Sequence, residues 1–501
     1  MVKTIKEVCD IILSLEKKYD LNHMKIQGTY PWQLVRMYVY YEIARKIGVF
    51  GSPQQGKITL KDKIISFLPF IKNSLINNPF HGNYQKDVLI FDHPRKTNYK
   101  GEFRDIYSYF LIKSLDEFDL DFEVIESPYL NKHYSDRENY IKYNDRILLG
   151  SYFYKKLSNL TFRTCEEDKI ANIEKELNST FNIKLDLFNI IKTHICDFKY
   201  QYKKYNKLFK KRMPKYIFVV VAYENQAMIA AAKNNNIEII ELQHGTISKY
   251  HLGYNYPDEE KNSINYFPDT ILTFGNYWNE VAEYPISKEK KIAIGFPYLE
   301  DEISSYLDHL NDEYLNYKFD ISKKNDKKNS KKNKNQILFI SQGVIGKYLS
   351  KFAYELSEKL NQLDEEYEIV YKLHPGEYSD WKNNYKYLKK AAEDDNFIVI
   401  DDNKIPLYEL FAKSEYQVGV FSTAIYEGLI FNCKTLVVDL PGIEYLDDLI
   451  EKNYVLKIKD SSEFIEKIEN FKINKYNRDF FFKKYDKSNL NIIFNRNKEK
   501  G

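Results

Sequence analysis

From Gln336 onward the chain alternates short apolar runs with longer amphipathic ones. QILFIS (Gln336–Ser341), Tyr367–Leu373, Phe397–Ile400, Tyr416–Val420 and Lys434–Asp439 have the length and the β-branched or aromatic content of strands. Between them, Lys347–Leu360, Asp380–Glu393, Pro406–Lys413 and Ala424–Phe431 read as helices, and helix Ile443–Glu451 with the segment Tyr454–Lys459 ends the series. Apolar strands alternating with helices predict a parallel sheet covered on both faces. Ligands of such sheets bind beyond the carboxyl ends of the strands.

A less even version of the pattern precedes it. Val88–Phe91, Phe122–Glu126, Tyr216–Tyr223, Ile237–Leu242, Thr270–Phe274 and Lys291–Gly295 read as strands, with a helix at Glu224–Lys233. The charged, helical stretch Leu160–Arg212 is expected to be an insertion. SKKNDKKNSKKNKN (Ser322–Asn335) has nothing to bury and reads as an exposed segment. The expected division is a helical extension over 1–80 and an acceptor-side Rossmann-like domain with a helical insertion over 81–320. A Lys/Asn-rich linker or loop over 321–335, a nucleotide-donor-binding Rossmann-like domain over 336–470 and a basic-aromatic tail over 471–501 follow. The fold class is α/β, two Rossmann-like domains facing a cleft.

Composition narrows the partners. At 501 residues the chain exceeds one ordinary core, and 43% hydrophobic residues suffice for two. A net charge of +3 gives no reason to expect nucleic acid. The charge is uneven, however: residues 471–500 hold nine Lys/Arg against three Asp/Glu, beside Phe480-Phe481-Phe482. Such a tail fits an anionic membrane face, each cation contributing about 1 kcal/mol, or a terminal helix that packs its phenylalanines onto the body. Trp32 and Arg36 on one helical face permit a membrane or acceptor contact. Cys9, Cys165, Cys196 and Cys433 lack metal-ligand spacing. The first twenty residues are too interrupted by charge for a signal peptide, and no apolar run approaches the ~18–20 residues of a membrane span. The expected location is cytoplasmic, with a peripheral contact on the cytoplasmic face of the membrane.

Candidate chemistry lies at the strand ends. Ser422 and Thr423 follow a strand and open a helix, where free amides, hydroxyls and the positive helix end form an anion site. Glu427 lies one turn on, placed to accept the hydroxyls of a ribose. His374-Pro375 follows another strand, with proline fixing the chain's exit, and His374 offers a donor to the same phosphate. Strand parity puts Lys372 on the face of His374 as a second phosphate cation. In the first half His244 ends a strand in ELQHGT (Glu241–Thr246), and Gly245 allows close backbone approach. A histidine there suits a general base opposite the donor. His251 and Tyr254 in the next loop fit an acceptor site, and His93-Pro94-Arg95 after another strand fits an anionic acceptor. Each feature also has a plain structural reading: a helix cap, a strand-end histidine, a solvated lysine.

Taken together, HGT at His244–Thr246, IGFPYLED, YKLHP and FSTAIYEG resemble bacterial surface-polysaccharide transferases of the GT-B fold. Sialyl- and Kdo-type transferases and CDP-glycerol glycerophosphotransferases are the nearest groups, over roughly Tyr216–Asp448. Gly419-Val420-Phe421-Ser422 lacks the acidic residue and tyrosine that usually precede the glycerophosphotransferase serines, which leaves the donor open. The resemblance implies a glycosyltransferase that moves a sugar from a nucleotide-activated donor to a cell-surface polysaccharide or lipid-linked glycan. With no convincing Asp-x-Asp metal motif between the domains and abundant phosphate donors, the expected reaction is inverting and without a metal or cofactor. A CMP-linked acidic sugar is the favoured donor. CDP-polyol phosphate transfer is the alternative, and a non-catalytic scaffold for polysaccharide assembly is the alternative of another class. A nucleotide-sugar 2-epimerase shares the fold but is poorly suited to the linker and basic tail.

Overall fold

Fully apolar strands form the centres of two sheets in the computed structural model, which describes residues 4–49, 60–82, 84–129, 132–135, 138–307, 335–363 and 367–494. The first sheet contains β1 (Val88–Phe91), β4 (Phe122–Glu126), β5 (Ile141–Tyr143), β6 (Tyr216–Val220), β7 (Glu238–Leu242), β8 (Thr270–Thr273) and β9 (Lys291–Ala293). Its order is β5-β4-β1-β6-β7-β8-β9, with β2 (Thr97–Tyr99) and β3 (Glu102–Arg104) forming a separate antiparallel pair. The second sheet holds β10 (Asn335–Ile340), β11 (Tyr367–Lys372), β12 (Phe397–Ile400), β13 (Tyr416–Gly419), β14 (Lys434–Val438) and β15 (Leu456–Ile458), in the order β12-β11-β10-β13-β14-β15. Every neighbouring pair in both sheets is parallel. Both are doubly wound around a central strand, β1 in one and β10 in the other, so each has a crevice at its carboxyl edge. Two such units are the GT-B arrangement expected from the sequence.

Several expectations need correction. Helix Leu187–Arg212 leads directly into β6 and packs on helices Gln226–Asn234 and Asp145–Leu157, so it is a crossover helix of the first sheet and not an insertion. Helices Ile5–Tyr19 and Pro31–Lys46 share one apolar core with Thr164–Phe181, the start of Leu187–Arg212, Tyr250 and Leu252. Residues 4–49 are thereby integral to the first unit. Trp32 and Arg36 are each 1% exposed and offer no surface. Glu16 explains why: its Oε1 accepts from Trp32 Nε1 at 2.7 Å and Arg36 Nε at 2.6 Å, and its Oε2 from Arg36 Nη2 at 2.8 Å. Removing one partner of such a buried pair costs about 3–5 kcal/mol.

The basic-aromatic tail also returns to the body. Phe481 and Phe482 are buried, Trp278 Nε1 donates to the Phe481 carbonyl at 2.7 Å, and the Lys483 amide donates to the Phe274 carbonyl at 2.7 Å. Gly275 makes room for this strap, since a Cβ there would lie 2.5 Å from the carbonyl oxygens of Phe480 and Phe481. Leu490, Ile493 and Phe494 then join the core against β1 and β6. Of the two readings of the tail, the one in which its phenylalanines pack onto the body is borne out at Phe481 and Phe482. Residues 321–334 of the Lys/Asn-rich linker lie outside the described residues, and Asn335 opens β10. Among the described residues no helix is long and apolar enough to cross a membrane.

Candidate active site

The carboxyl edges of the two sheets face each other. A Cβ on Gly245 would meet only one neighbour, Thr423 Oγ1 of the second unit, at 3.9 Å. The side of Gly245 where a Cβ would stand is therefore open space opposite the helix at Thr423. His374 of the second unit feels the charge of Arg95 from the first, and Glu427 is near enough to Tyr107 to bear on its hydroxyl. Arg95, Tyr107, Gly245, His374, Thr423 and Glu427 thus meet across one cleft.

On the second unit, Ser422 caps helix Thr423–Ile430, its hydroxyl accepting from the Ala424 amide at 3.2 Å. Among the described residues no hydrogen bond holds the Thr423 hydroxyl, which is half-buried at the first helical position. His374 and Pro375 open a short 3-10 turn, Pro375–Glu377. His374 Nδ1 accepts from the Gly376 amide at 3.1 Å, so a neutral ring carries its proton on Nε2, in an exposed side chain. Partial desolvation between the two facing units, then the charges of Arg95 and Lys372, hold the pKa of His374 below the ordinary imidazole value although its side chain reaches solvent. Glu377, 1% exposed, fastens the turn by accepting the His374 amide at 2.7 Å, the Tyr385 hydroxyl at 2.7 Å and the Ser341 hydroxyl at 3.0 Å. Sequence reading passed over Glu377, although a cap followed three residues later by Glu is a recognisable capping pattern.

Lys372 is a correction. It is 8% exposed, and its ammonium donates to the Asp402 carbonyl at 2.6 Å and to the Tyr378 hydroxyl, which takes it out of the phosphate set. The strand ends at Lys372 itself, so parity does not carry through to His374. Glu427 is half-buried, and burial raises its carboxyl to about 7, against the lowering influence of the Tyr408 hydroxyl.

On the first unit, β1 runs into Asp92-His93. Lys96 is buried between Asp92 and Glu126 and donates to the His93 carbonyl at 2.8 Å, while Asp105 Oδ2 accepts the His93 amide at 3.1 Å. This charged base holds His93 half-buried and leaves Arg95 exposed. The His93 ring stacks 6.1 Å from that of His244, and Tyr107 and Tyr223 lie 6.3 and 6.0 Å away. His244 Nδ1 is 3.5 Å from the Tyr254 hydroxyl and Nε2 is 3.5 Å from that of Tyr223. Burial, then the charges of His93, His251 and Arg95, lower the pKa of His244 to about 3. His251 packs against Tyr223 and Tyr254, its Nδ1 accepting from the Gly253 amide at 3.2 Å, and burial lowers it to about 4. Thr246 is half-buried in the same loop. Among the described residues no group of three or more His, Cys, Asp or Glu is arranged to hold a metal ion.

No protein-family model matches the chain, and no curated protein does. Among solved structures, UDP-GlcNAc 2-epimerase from Methanocaldococcus jannaschii is similar over 83% of this chain and 99% of its own, at a TM-score of 0.48 and 11% identity. UDP-GlcNAc 2-epimerase from Neisseria meningitidis bound to UDP-GlcNAc covers 83% of this chain and 99% of its own, at 0.43 and 14%. A variant of the wall teichoic acid polymerase TagF covers 88% and 99%, at 0.41 and 12%. At such scores and identities no residue or activity is carried over to this chain.

Proposed function

We propose that the chain is a glycosyltransferase that moves a sugar from a nucleotide-activated donor to a surface polysaccharide or lipid-linked glycan, with inversion and without a metal. The observation that carries this reading is the convergence, across one cleft, of an anion site at Ser422-Thr423 and His374 with a neutral histidine, His244. The acceptor hydroxyl gives its proton to His244 Nε2 as its oxygen attacks the anomeric carbon. The bond from that carbon to the phosphate oxygen breaks, and the leaving charge meets His374 Nε2–H, the Thr423 hydroxyl and the positive N-terminal end of helix Thr423–Ile430. Glu427 takes the ribose. A CMP-linked acidic sugar is the first donor to test, because exposed Arg95 at the cleft supplies a cation for a carboxylate.

The test is thermal stabilisation of the whole chain by CMP, CDP, UMP, UDP, ADP and GDP. A ligand at 100 times its Kd adds about 2.7 kcal/mol. A selective response to a cytidine nucleotide, lost in His374→Ala, is expected. No response to any nucleotide at millimolar concentration overturns the reading in favour of a scaffold. Transfer of polyol phosphate uses the same groups on phosphorus and is separated by the product formed from a CDP-polyol. EDTA leaves turnover intact on this reading; loss of turnover, restored by a divalent ion, overturns the metal-free step.

A lipid-linked acceptor requires a membrane-facing surface, and the tail does not supply it. Leu68, Leu75 and Ile76 on helix Leu60–Ile76 and Phe153 and Leu157 on the contacting helix Asp145–Leu157 are exposed, Leu157 by 83%. Lys72, Arg146 and Lys156 are exposed among them. Sedimentation with phosphatidylglycerol vesicles, but not phosphatidylcholine vesicles, is expected, with Leu157→Glu weakening it. Equal binding of that variant removes this surface from the reading.

A further inference from the structure

We propose that Tyr254 and Glu241 form a proton relay behind His244, with Glu241 as its final acceptor; this rests on the reading of His244 as the base. The Tyr254 hydroxyl donates to Glu241 Oε1 at 2.7 Å. Having spent its proton there, its oxygen is free to accept, and His244 Nδ1 lies 3.5 Å away. That pairing favours the neutral tautomer protonated at Nδ1 and leaves a lone pair on Nε2, which the Tyr223 hydroxyl, 3.5 Å away, approaches until an acceptor displaces it. Glu241 is fully buried at the end of β7, Oε1 also accepts the Ala222 amide at 3.1 Å, and Oε2 has no partner among the described residues. A buried carboxylate with an unanswered oxygen is poised to gain a proton.

The relay resolves a difficulty at His244. His93, His251 and Arg95 surround the ring with actual or potential positive charge, and an imidazolium there is costly. Alone, a histidine lowered to about 3 is a poor base at neutral pH. Burial raises Glu241 to about 7, which makes it the better resting place for the proton. As the acceptor O–H proton reaches Nε2, the Nδ1 proton passes to the Tyr254 oxygen, and the Tyr254 proton passes to Glu241 Oε1. The imidazole ends neutral with its proton on the other nitrogen, Tyr254 ends neutral, and one negative charge on Glu241 is cancelled.

The experiment needs no substrate. In the full chain labelled with 15N-histidine, the His244 resonances, identified with His244→Asn, are expected to show the Nδ1–H tautomer. Tyr254→Phe should release that preference. Glu241→Gln keeps a carbonyl for the Tyr254 hydroxyl, so the tautomer should persist. It should, however, remove Glu241's share of the carboxylic-acid infrared band that grows in the unmutated chain as pH falls through about 7, leaving the share of Glu427. An Nε2–H tautomer in the unmutated chain, an unchanged tautomer in Tyr254→Phe, or a band whose intensity Glu241→Gln leaves unchanged overturns the relay. Nucleotide stabilisation of the unmutated chain reports separately on the transferase reading.

Discussion

Two histidines end strands on opposite sides of one cleft and are wired in opposite senses. His374 Nδ1 accepts a backbone amide of its own turn, so the ring presents Nε2–H outward as a donor. His244 Nδ1 faces a tyrosine whose proton is already committed to a carboxylate, so the ring presents a lone pair. One residue type thereby serves as a phosphate donor on the second unit and a proton acceptor on the first. The partner of Nδ1 decides which: for His374 it is an amide two residues along, and for His244 a tyrosine ten residues away in the following loop.

The sharpest way to break this contrast is to remove each ring in turn. His244→Ala should lower turnover by about 10²–10⁴ while leaving nucleotide stabilisation intact, as a lost general base does. His374→Ala should lower turnover by about 10²–10³ and abolish nucleotide stabilisation as well. Equal effects on binding from the two variants would erase the distinction. Next in size is the support of the His374 turn. Glu377→Ala strands the His374 amide and the Tyr385 and Ser341 hydroxyls, and should cost about 3 kcal/mol in urea unfolding. A smaller loss would mean that water replaces the carboxylate.

The contrast sharpens further with pH. His244 and His251 are lowered to about 3 and 4 in the folded chain, below the ordinary value of about 6.5 expected when unfolded. Their contribution is therefore complete above about pH 6.5 and is lost as pH falls toward those folded values. His133 behaves oppositely. Bonded to Glu126 at 2.6 Å and Asp145 at 2.8 Å, it is raised to about 9 despite burial. Its contribution is complete below about 6.5 and is lost as pH rises through 9. His133→Gln should thus flatten the alkaline side of the urea-midpoint profile and leave the acid side unchanged. The smallest effect on stability is expected at Gly245. Since only Thr423 Oγ1 stands near its missing Cβ, Gly245→Ala should change stability by less than about 0.5 kcal/mol. It should nevertheless weaken nucleotide stabilisation, because the methyl enters the space between the two faces.

Both sheets were legible because their central strands are apolar on both faces and separated by helices of ordinary length. β5 and the β2–β3 pair escaped notice, being three-residue strands without such a run. The Ser422 cap and the His374-Pro375 turn were legible because each is closed by hydrogen bonds within three residues. The parity argument linking Lys372 to His374 fails because the strand ends at Lys372, two residues before the histidine. Trp32 and Arg36 read as a surface because Glu16, which satisfies both, lies at least sixteen residues away on another helix.

By itself, then, the sequence determined the local elements: strand, helix, cap, turn and the positions of two histidines at strand ends. These depend on periodicity and on bonds that span a few residues. Only the tertiary structure decided that Gly245 looks at Thr423, that Tyr254 joins His244 to Glu241, and that the tail and the first helices are buried. Those outcomes turn on contacts between residues far apart in the chain, where desolvation and pairing decide whether a polar group acts, supports or is silenced.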